Sequence, residues 1–277
     1  MNKNIEEEDN TSFLLIKEKN GDIFMKKLKT LLIAILYVLL FLIINFGVIT
    51  LFTIGYNIFC NLDINTNEYI ESLAIFLNKS KIFIVLVSVI FWIPLLYKNM
   101  KKKNICFNMK WQNSFLNFIL LGISSSLVLN IIIFDIGLQE LSSDISTPIF
   151  SIISVAIIGP VLEELVFRGL IYNKLKESYR VGISILLVSL LFGLFHLNLV
   201  QGIYAFLISV IITYCYEKSS NLFIPILVHC SANISVSILL PFLLRMSFLP
   251  IQIVLVVFLF LSIVCLFKLN TRKIIQN

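Results

Sequence analysis

Long runs of apolar residues, separated by short polar segments, dominate the pattern along the chain. A helix needs about 20 such residues to cross roughly 30 Å of hydrocarbon. Eight runs meet or approach this length and predict eight membrane-spanning helices. The runs are Leu31–Phe59, Ile82–Tyr97, Ser114–Phe134, Pro148–Val166, Val181–Leu197, Gly202–Tyr216, Leu222–Leu240 and Leu249–Phe267. The first run is too long for the apolar core of a signal peptide, so we expect it to stay in the protein.

The composition supports a protein that lies in the lipid bilayer. Hydrophobic residues make up 58% of the chain and charged residues 14%, against about 45–50% and 25% in soluble domains. This balance excludes an ordinary soluble domain and a disordered chain. The fold class predicted is therefore an all-α polytopic membrane protein. The five cysteines form no CxxC pair and indicate neither a metal nor a redox site.

The positions of the charges predict the orientation and argue against a nucleic-acid partner. If both termini are cytoplasmic, 19 of the 22 Lys and Arg residues fall in cytoplasmic segments, as the positive-inside rule requires. The loop Asp135–Thr147, which would lie outside, has three acidic residues and no basic one. The chain is thus expected to comprise a cytoplasmic tail (1–30), N-terminal helices (31–147), motif-bearing helices (148–240), and a last helix with a cytoplasmic C-terminus (241–277).

Polar residues inside the apolar runs mark the candidate chemistry, because a charge at membrane depth costs a few kcal/mol and is usually kept for function. Glu164 and Arg168 are four residues apart, so we expect an ion pair on one helix face. Glu163 points about 100° away from them and can face elsewhere. Pro160, just upstream, lacks an N–H and is expected to leave a carbonyl near Ala156 without its partner.

Two histidines, the only ones in the chain, also fall in apolar runs. His196 follows Phe192 by four residues, and His229 precedes Asn233 by four. Counting along straight helices places Glu163 near the cytoplasmic end of its span and His196 nearly 24 Å into the membrane at 1.5 Å per residue. We therefore expect the fifth and sixth spans to form a sunken hairpin whose tip is enclosed by protein, with the site reached from the cytoplasm.

These residues form three motifs that follow one another along the chain. They are Glu163-Glu164-x-x-x-Arg168, Phe192-x-x-x-His196 and His229-x-x-x-Asn233. The set resembles the CPBP family, also called the Abi or CAAX protease and bacteriocin-processing family, over about residues 148–240. The resemblance implies an intramembrane endopeptidase built on eight helices.

The resemblance also implies roles for the motif residues. Glu163 and His196 would hold and activate the attacking water, while His229 and Asn233 would stabilise the oxyanion. Glu164 and Arg168 would brace the site, and Phe192 would support it by packing. No cofactor is favoured. The alternative is zinc held by Glu163, His196 and His229, a donor set that leaves a position open for water, although the HExxH motif is absent.

The expected partners are the lipid bilayer and a peptide or membrane-protein substrate. Relatives in this family act in bacteriocin maturation, in self-immunity or on CAAX tails, and the Asn-, Ile- and Lys-rich composition points to the cell membrane of a bacterium. A non-catalytic immunity or scaffold protein stays open as the alternative. A transporter fits less well, because no inverted repeat is visible. The sequence leaves the oligomeric state open.

Overall fold

The computed structural model describes residues 2–103, 105–109, 115–138, 149–245 and 250–271. Within these ranges the chain forms eight helices and no strand pairing beyond one isolated bridge. The helices are α1 (Asn2–Phe59), α2 (Asn67–Lys103), α3 (Phe115–Asp135), α4 (Ile149–Leu175), α5 (Val181–Phe195), α6 (Leu199–Ser219), α7 (Phe223–Arg245) and α8 (Ile251–Thr271). All except α5 are long and apolar enough to cross a membrane. The predicted all-α polytopic fold is confirmed.

Several helices extend well beyond the apolar runs that predicted them. The first begins at Asn2 instead of Leu31, so the expected tail is helical in its backbone, and α2 begins at Asn67 instead of Ile82. Hydropathy locates the part of a helix that suits lipid, whereas the hydrogen-bonded backbone continues through polar residues. Most of the predicted outer loop, Asp135–Thr147, lies outside the described residues.

Serine hydroxyls join neighbouring helices inside the bundle. Such small side chains let helix backbones approach closely, and their hydroxyl groups bond across the interface. The pairs are Ser126 with Ser235 between α3 and α7, Ser124 with Ser262 between α3 and α8, and Ser189 with Ser209 between α5 and α6. The last pair lies beside the motif residues and helps to fix α5 against α6.

Most basic residues gather at one end of the bundle, which we call the lysine-rich end. Its described members are Lys26, Lys27, Lys29, Lys98, Lys101, Lys174, Lys176, Arg180 and Lys218. Thr30 of α1 bonds Ser178, which follows α4, at 2.8 Å, and the hydroxyl of Tyr179 donates to the Lys27 carbonyl at 3.0 Å. Cys106, which follows α2, accepts a bond from the backbone N–H of Leu222 at 2.9 Å. Lys176, just after α4, pairs with Glu217, near the end of α6, at 2.6 Å. The ends of α2, α4 and α6 that carry these charges therefore meet beside residues 26–30 of α1.

The opposite end of the bundle is held by uncharged polar groups. Tyr69 at the start of α2 donates to Asn57 at 2.8 Å, and Ser151 at the start of α4 donates to Asn78 at 2.7 Å. These bonds join α1, α2 and α4 far from the lysine-rich end. The two ends thus differ in charge as well as in position.

Helices α5 and α6 form a tight hairpin with His196 at its turn. A Cβ atom on Gly193 would lie 2.7 Å from the carbonyl oxygen of Gly202, so the two backbones are in contact. Leu197 turns the chain with a positive φ of 54°. Because Leu197 and Leu199 are 68% and 78% exposed, the expectation that protein encloses the tip is wrong. Lipid can cover these apolar side chains instead.

The contact between α5 and α6 predicts the effect of a single methyl group. We expect Gly193→Ala to lower the thermal stability of the purified protein by about 1–3 kcal/mol, since overpacking forces the backbones apart. Gly182→Ala in the same helix is the matched control, because a Cβ there meets no atom within 4 Å. It should be neutral, or stabilising by up to about 1 kcal/mol. Equal melting temperatures for the two variants would contradict the close contact.

Candidate active site

A buried ion pair lies beside the motif residues. Glu164 and Arg168 are 2.7 Å apart, and neither side chain has exposed surface. Helix α6 supplies further partners for the guanidinium, with the Ser209 hydroxyl at 2.8 Å and the Thr213 hydroxyl at 3.3 Å. The guanidinium also lies over the ring of Phe192, 5.0 Å from its centre. These contacts compensate the buried cation without water and join α4 to α5 and α6.

The Glu164 carboxylate has a second partner that the motif spacing does not indicate. Its Oε1 atom lies 2.7 Å from Nδ1 of His229. A hydrogen on Nδ1 serves this bond, so Nε2 is the ring nitrogen left to face Glu163, whose Oε2 lies 3.8 Å away. The side chain of Glu163 is 22% exposed, whereas that of Glu164 is fully buried. The two adjacent carboxylates therefore differ in both partners and solvation.

The orientation of His196 is set by its own helix. Its Nδ1 atom lies 2.8 Å from the backbone carbonyl oxygen of Phe192, one turn earlier. A carbonyl can only accept, so Nδ1 carries the hydrogen and a neutral ring keeps its lone pair on Nε2. The ring of Phe192 packs edge-on against the rings of His196 and His229, with centroids 4.9 and 5.7 Å away. This phenylalanine therefore separates and orients both histidines.

Asn233 closes a break in helix α4. The turn Ser154–Ile158 is π-helical, a register in which each carbonyl pairs with the N–H five residues on. The carbonyl of Val155 would need the N–H of Pro160, which proline lacks. Asn233 donates to that oxygen from Nδ2 at 3.0 Å. The sequence predicted a carbonyl near Ala156 that lacks its helical partner, and the π turn makes it that of Val155.

The motif residues converge on one space inside the bundle, which we call the central cavity. Its volume is about 240 Å³. It is lined by Lys81, Val85, Ser154, Val155, Gly159, Glu163, Phe192, His196, Tyr204, Ala205, Ile208, His229 and Asn233. All four residues predicted as catalytic are in this set, together with Phe192. Glu164 and Arg168 are buried beside the cavity and do not line it.

The sequence-based prediction of the site did not include several residues that the structure places around it. Ser154 and Lys81 line the central cavity, and the buried Ser154 hydroxyl has no hydrogen-bond partner among the described residues. Neither belongs to a recognisable motif. Ser209 and Thr213 did carry a signal, because two hydroxyl residues four apart share one face of an apolar helix. That face receives Arg168.

Glu163 lies nearer the middle of its helix than the sequence predicted. Helix α4 does not end near Val166 but continues to Leu175, so Glu163 lies close to its midpoint. The prediction treated Arg168 as the start of the cytoplasmic segment. Since Glu164 compensates its charge within the bundle, Arg168 does not end the span. A second cavity of about 600 Å³ adjoins the first at Glu163 and extends between α1 and α2.

The alternative zinc site depends on the positions of its three donors. Among the described residues, no group of three or more His, Cys, Asp or Glu side chains is arranged to hold a metal ion. Both histidines nevertheless bond a protein oxygen through Nδ1, which leaves Nε2 free, as in metal-ligating histidines. Zinc held by Glu163, His196 and His229 therefore stays an alternative, and no role here is assigned to a metal.

Comparison with known proteins finds similarity over the same helices. Residues 145–235 match the family model described as "Type II CAAX prenyl endopeptidase Rce1-like". A Bacillus subtilis (strain 168) protein, named "Putative membrane peptidase YdiL", is 29% identical over 94 residues, which are 34% of this chain and 38% of that protein. No solved structure matches the chain significantly. The resemblance predicted from the three motifs is confirmed for residues 145–235, and the rest of the chain lies outside the family match.

The buried ion pair predicts an asymmetry between breaking it and removing it. Arg168→Ala leaves Glu164 as a buried charge without its guanidinium and should destabilise the protein by about 3–5 kcal/mol. The double change Glu164→Gln with Arg168→Gln removes both charges and should recover part of this loss. Thermal unfolding in detergent measures both. A fully stable Arg168→Ala variant would show that the pair does not brace the helices.

The bond from Asn233 to Val155 predicts a stability effect that depends on pH. An ionised Asn233→Asp side chain cannot donate, so the variant should lose about 1–3 kcal/mol at pH 8. It should recover stability towards pH 5, where the protonated carboxyl can donate. Asn233→Leu has a similar size and no donor, and should be destabilised equally at both pH values. Parallel pH profiles for the two variants, each corrected for wild type, would exclude this bond as the cause.

Proposed function

Taking residues 145–235 as a CPBP-type region, we propose that the protein is an intramembrane endopeptidase that hydrolyses a peptide bond with water activated by Glu163 and His196. One observation carries the proposal. Glu163, His196, His229 and Asn233, which come from three different elements (α4, the end of α5, and α7), all line one cavity inside the bundle. A packing role alone does not require four polar side chains to converge in an apolar protein.

Glu163 is the carboxylate suited to act as the base. Its neighbour Glu164 is committed to Arg168 and His229 at 2.7 Å each, whereas the nearest basic nitrogen to Glu163 is that of His229 at 3.8 Å. Glu163 can therefore accept a proton from a water molecule in the central cavity. His196 supports the same water, because its lone pair on Nε2 accepts the second hydrogen. A positioned base of this kind contributes about 10²–10⁴-fold in rate.

The attack then produces an oxyanion that needs hydrogen-bond donors. Water oxygen bonds to the carbonyl carbon, its proton passes to Glu163, and negative charge develops on the carbonyl oxygen. Asn233 uses one N–H for Val155 and keeps the other for this oxygen. The buried hydroxyl of Ser154 is a further donor on the same wall of the cavity. Losing one such donor costs about 10²–10³ in rate.

His229 is proposed to donate to the oxyanion as an imidazolium. Glu163, Glu164 and Arg168 together carry one net negative charge, and an uncompensated buried charge is costly. One extra proton shared within the cluster neutralises it, and His229 contacts Glu164 and approaches Glu163. After the tetrahedral intermediate forms, Glu163 passes its proton to the leaving nitrogen, and the C–N bond breaks to give a carboxylic acid and an amine.

The proposed substrate is a peptide or a segment of a membrane protein, and the proposed location is the cell membrane of a bacterium. The matched region and the seven long apolar helices support a protease embedded in a bilayer. Bacteriocin maturation, self-immunity and CAAX-type processing are the biological roles that fit such an activity. The Asn-, Ile- and Lys-rich composition is typical of a protein from a bacterium with an AT-rich genome, which favours the first two roles.

We also propose that the activated water needs no resident metal. The separation of the donors supports this, because the described residues include no group of three His, Cys, Asp or Glu side chains arranged around one point. Metal analysis of the purified protein, together with activity after chelation and after zinc is added back, tests the point. Loss of activity on chelation with recovery by zinc would replace water activation by Glu163 and His196 with a zinc-bound water.

The role of Glu163 predicts a loss of chemistry without a loss of folding. Glu163→Gln keeps the shape but cannot take the proton, so kcat for a reporter peptide in reconstituted membranes should fall about 10²–10⁴-fold. Thermal stability should stay close to that of wild type. His196→Ala should be comparably damaging, and the double variant little worse than either, because groups that act on one water are not additive.

Glu177→Gln is the matched control for the carboxylate change. Glu177 bonds Lys174 at the exposed surface of the lysine-rich end, 2.6 Å away, and its variant should keep full activity. Wild-type turnover in Glu163→Gln would remove Glu163 from the base role. If wild type cleaves no reporter of any sequence while it binds the peptide, the non-catalytic immunity or scaffold role would take the place of the protease.

A further inference from the structure

We infer that the central cavity is reached from the end of the bundle opposite the lysine-rich end, so that the substrate is a peptide segment outside the cytoplasm. The position of the entrance follows from packing, and its placement outside the cytoplasm follows from the distribution of charge. The position of the entrance does not depend on the proposed protease function, whereas the nature of the peptide as a substrate rests on it. The two parts can be tested separately.

Three of the helices that line the cavities, α1, α2 and α4, do so on the same side of Glu163. On α4 the lining residues other than Glu163 precede it, from Ser154 to Leu162, and lead towards Ile149. On α2 they are Leu77 to Val85, in its first half, and on α1 they are Phe41 to Ile49, towards its end. All three directions lead away from the lysine-rich end. The open space therefore extends from Glu163 to the opposite end.

The path towards the lysine-rich end is filled by side chains. Beyond Glu163 along α4, Phe167, Arg168 and Tyr172 have no exposed surface, and neither does Trp92 of α2. They belong to, or pack beside, the apolar core that extends to Leu175 at the end of α4. Twelve residues separate Glu163 from Leu175, a distance of roughly 18 Å at the helical rise of 1.5 Å per residue. A peptide cannot pass through this packed layer.

Polar side chains occur along the open route and suit the entry of water and peptide. Asn45 of α1 and Asn78 of α2 line the second cavity. Lys81 lines both cavities, and no ion pair of its side chain is found among the described residues. Polar groups at this depth are costly when they face lipid, so their position on the cavity wall indicates a hydrated entrance.

The charge distribution assigns the two ends to the two sides of the membrane. Lys and Arg residues are enriched on the cytoplasmic side of membrane proteins, and here they gather at the closed end. The open end therefore lies outside the cytoplasm. Cytoplasmic access, expected from the sequence, rested on placing Glu163 near the end of its span, and the continuation of α4 to Leu175 removes that basis.

Thiol labelling of intact cells tests the entrance without reference to activity. Two native cysteines serve as end markers: Cys60 follows α1 at the open end, and the exposed Cys106 lies at the lysine-rich end. Cys230 is also partly exposed and is replaced by Ser in every variant. Cys60 and Cys106 are each then kept as the single accessible cysteine, and Lys81→Cys is added to a third variant that has neither of them. A membrane-impermeant maleimide applied outside should modify Cys60 and the Lys81→Cys variant. Cys106 should react only after permeabilisation.

Two labelling results would overturn the inference. Modification of Cys106 from outside, with Cys60 protected, would reverse the orientation. Modification of Cys60 with no reaction of the Lys81→Cys variant would show that the cavity has no entrance from that side. Thermal unfolding of each variant establishes that the cysteine substitutions leave the protein folded.

A second experiment places one reporter cleavage segment on either side of the membrane, by fusing it to a membrane anchor in two orientations. Wild type should cleave only the segment outside the cytoplasm, and Glu163→Gln should cleave neither. Cleavage of the cytoplasmic segment alone would overturn the entrance and leave the protease function standing. No cleavage in either orientation, with labelling as expected, would instead count against the protease function.

Discussion

Compensation of charge inside an apolar bundle is the constraint on which the site depends. An arginine at membrane depth costs a few kcal/mol, and here Glu164 meets it at 2.7 Å with no exposed surface on either side chain. Because Glu164 also bonds His229, one carboxylate joins α4 to α7 while the guanidinium joins α4 to α6. Because Glu164 binds both Arg168 and His229, Glu163 is left to face the cavity. A single acidic residue could not both neutralise the arginine and serve a reaction.

A second constraint comes from the backbone of α4. Its π turn and Pro160 leave the carbonyl of Val155 without a helical partner, and Asn233 supplies the missing hydrogen. The break widens α4 beside the cavity, where Ser154 and Gly159 form part of the wall. Helix α7 thus contacts the same helix twice, at the break through Asn233 and one turn deeper through His229. These two contacts fix the spacing between the base and the proposed donors.

Much of this arrangement could be predicted from the sequence, and the rest could not for identifiable reasons. Hydropathy found eight apolar segments, and the spacing of Glu163, Glu164 and Arg168 predicted which acidic residue faces the cation. The prediction that Glu163 lies near the end of its span was wrong. In the sequence, an arginine whose charge is compensated inside the bundle looks the same as an arginine that ends a span. The second partner of Glu164, the hydroxyls of Ser209 and Thr213, and the entrance beside Lys81 all depend on contacts between helices, which a local pattern does not contain.

Because α5 is short, the thickness of the bilayer bears on the surroundings of His196. Its 15 residues rise about 22 Å, against roughly 30 Å of hydrocarbon, and His196 follows directly at the tip. The exposed apolar side chains of Leu197 and Leu199 suit contact with lipid, so we expect the mismatch between this hairpin and the bilayer to be met by local thinning. Thinning would bring water closer to His196 than the mean thickness of the membrane implies. We therefore expect the length of the lipid chains to act on the solvation of the reacting groups.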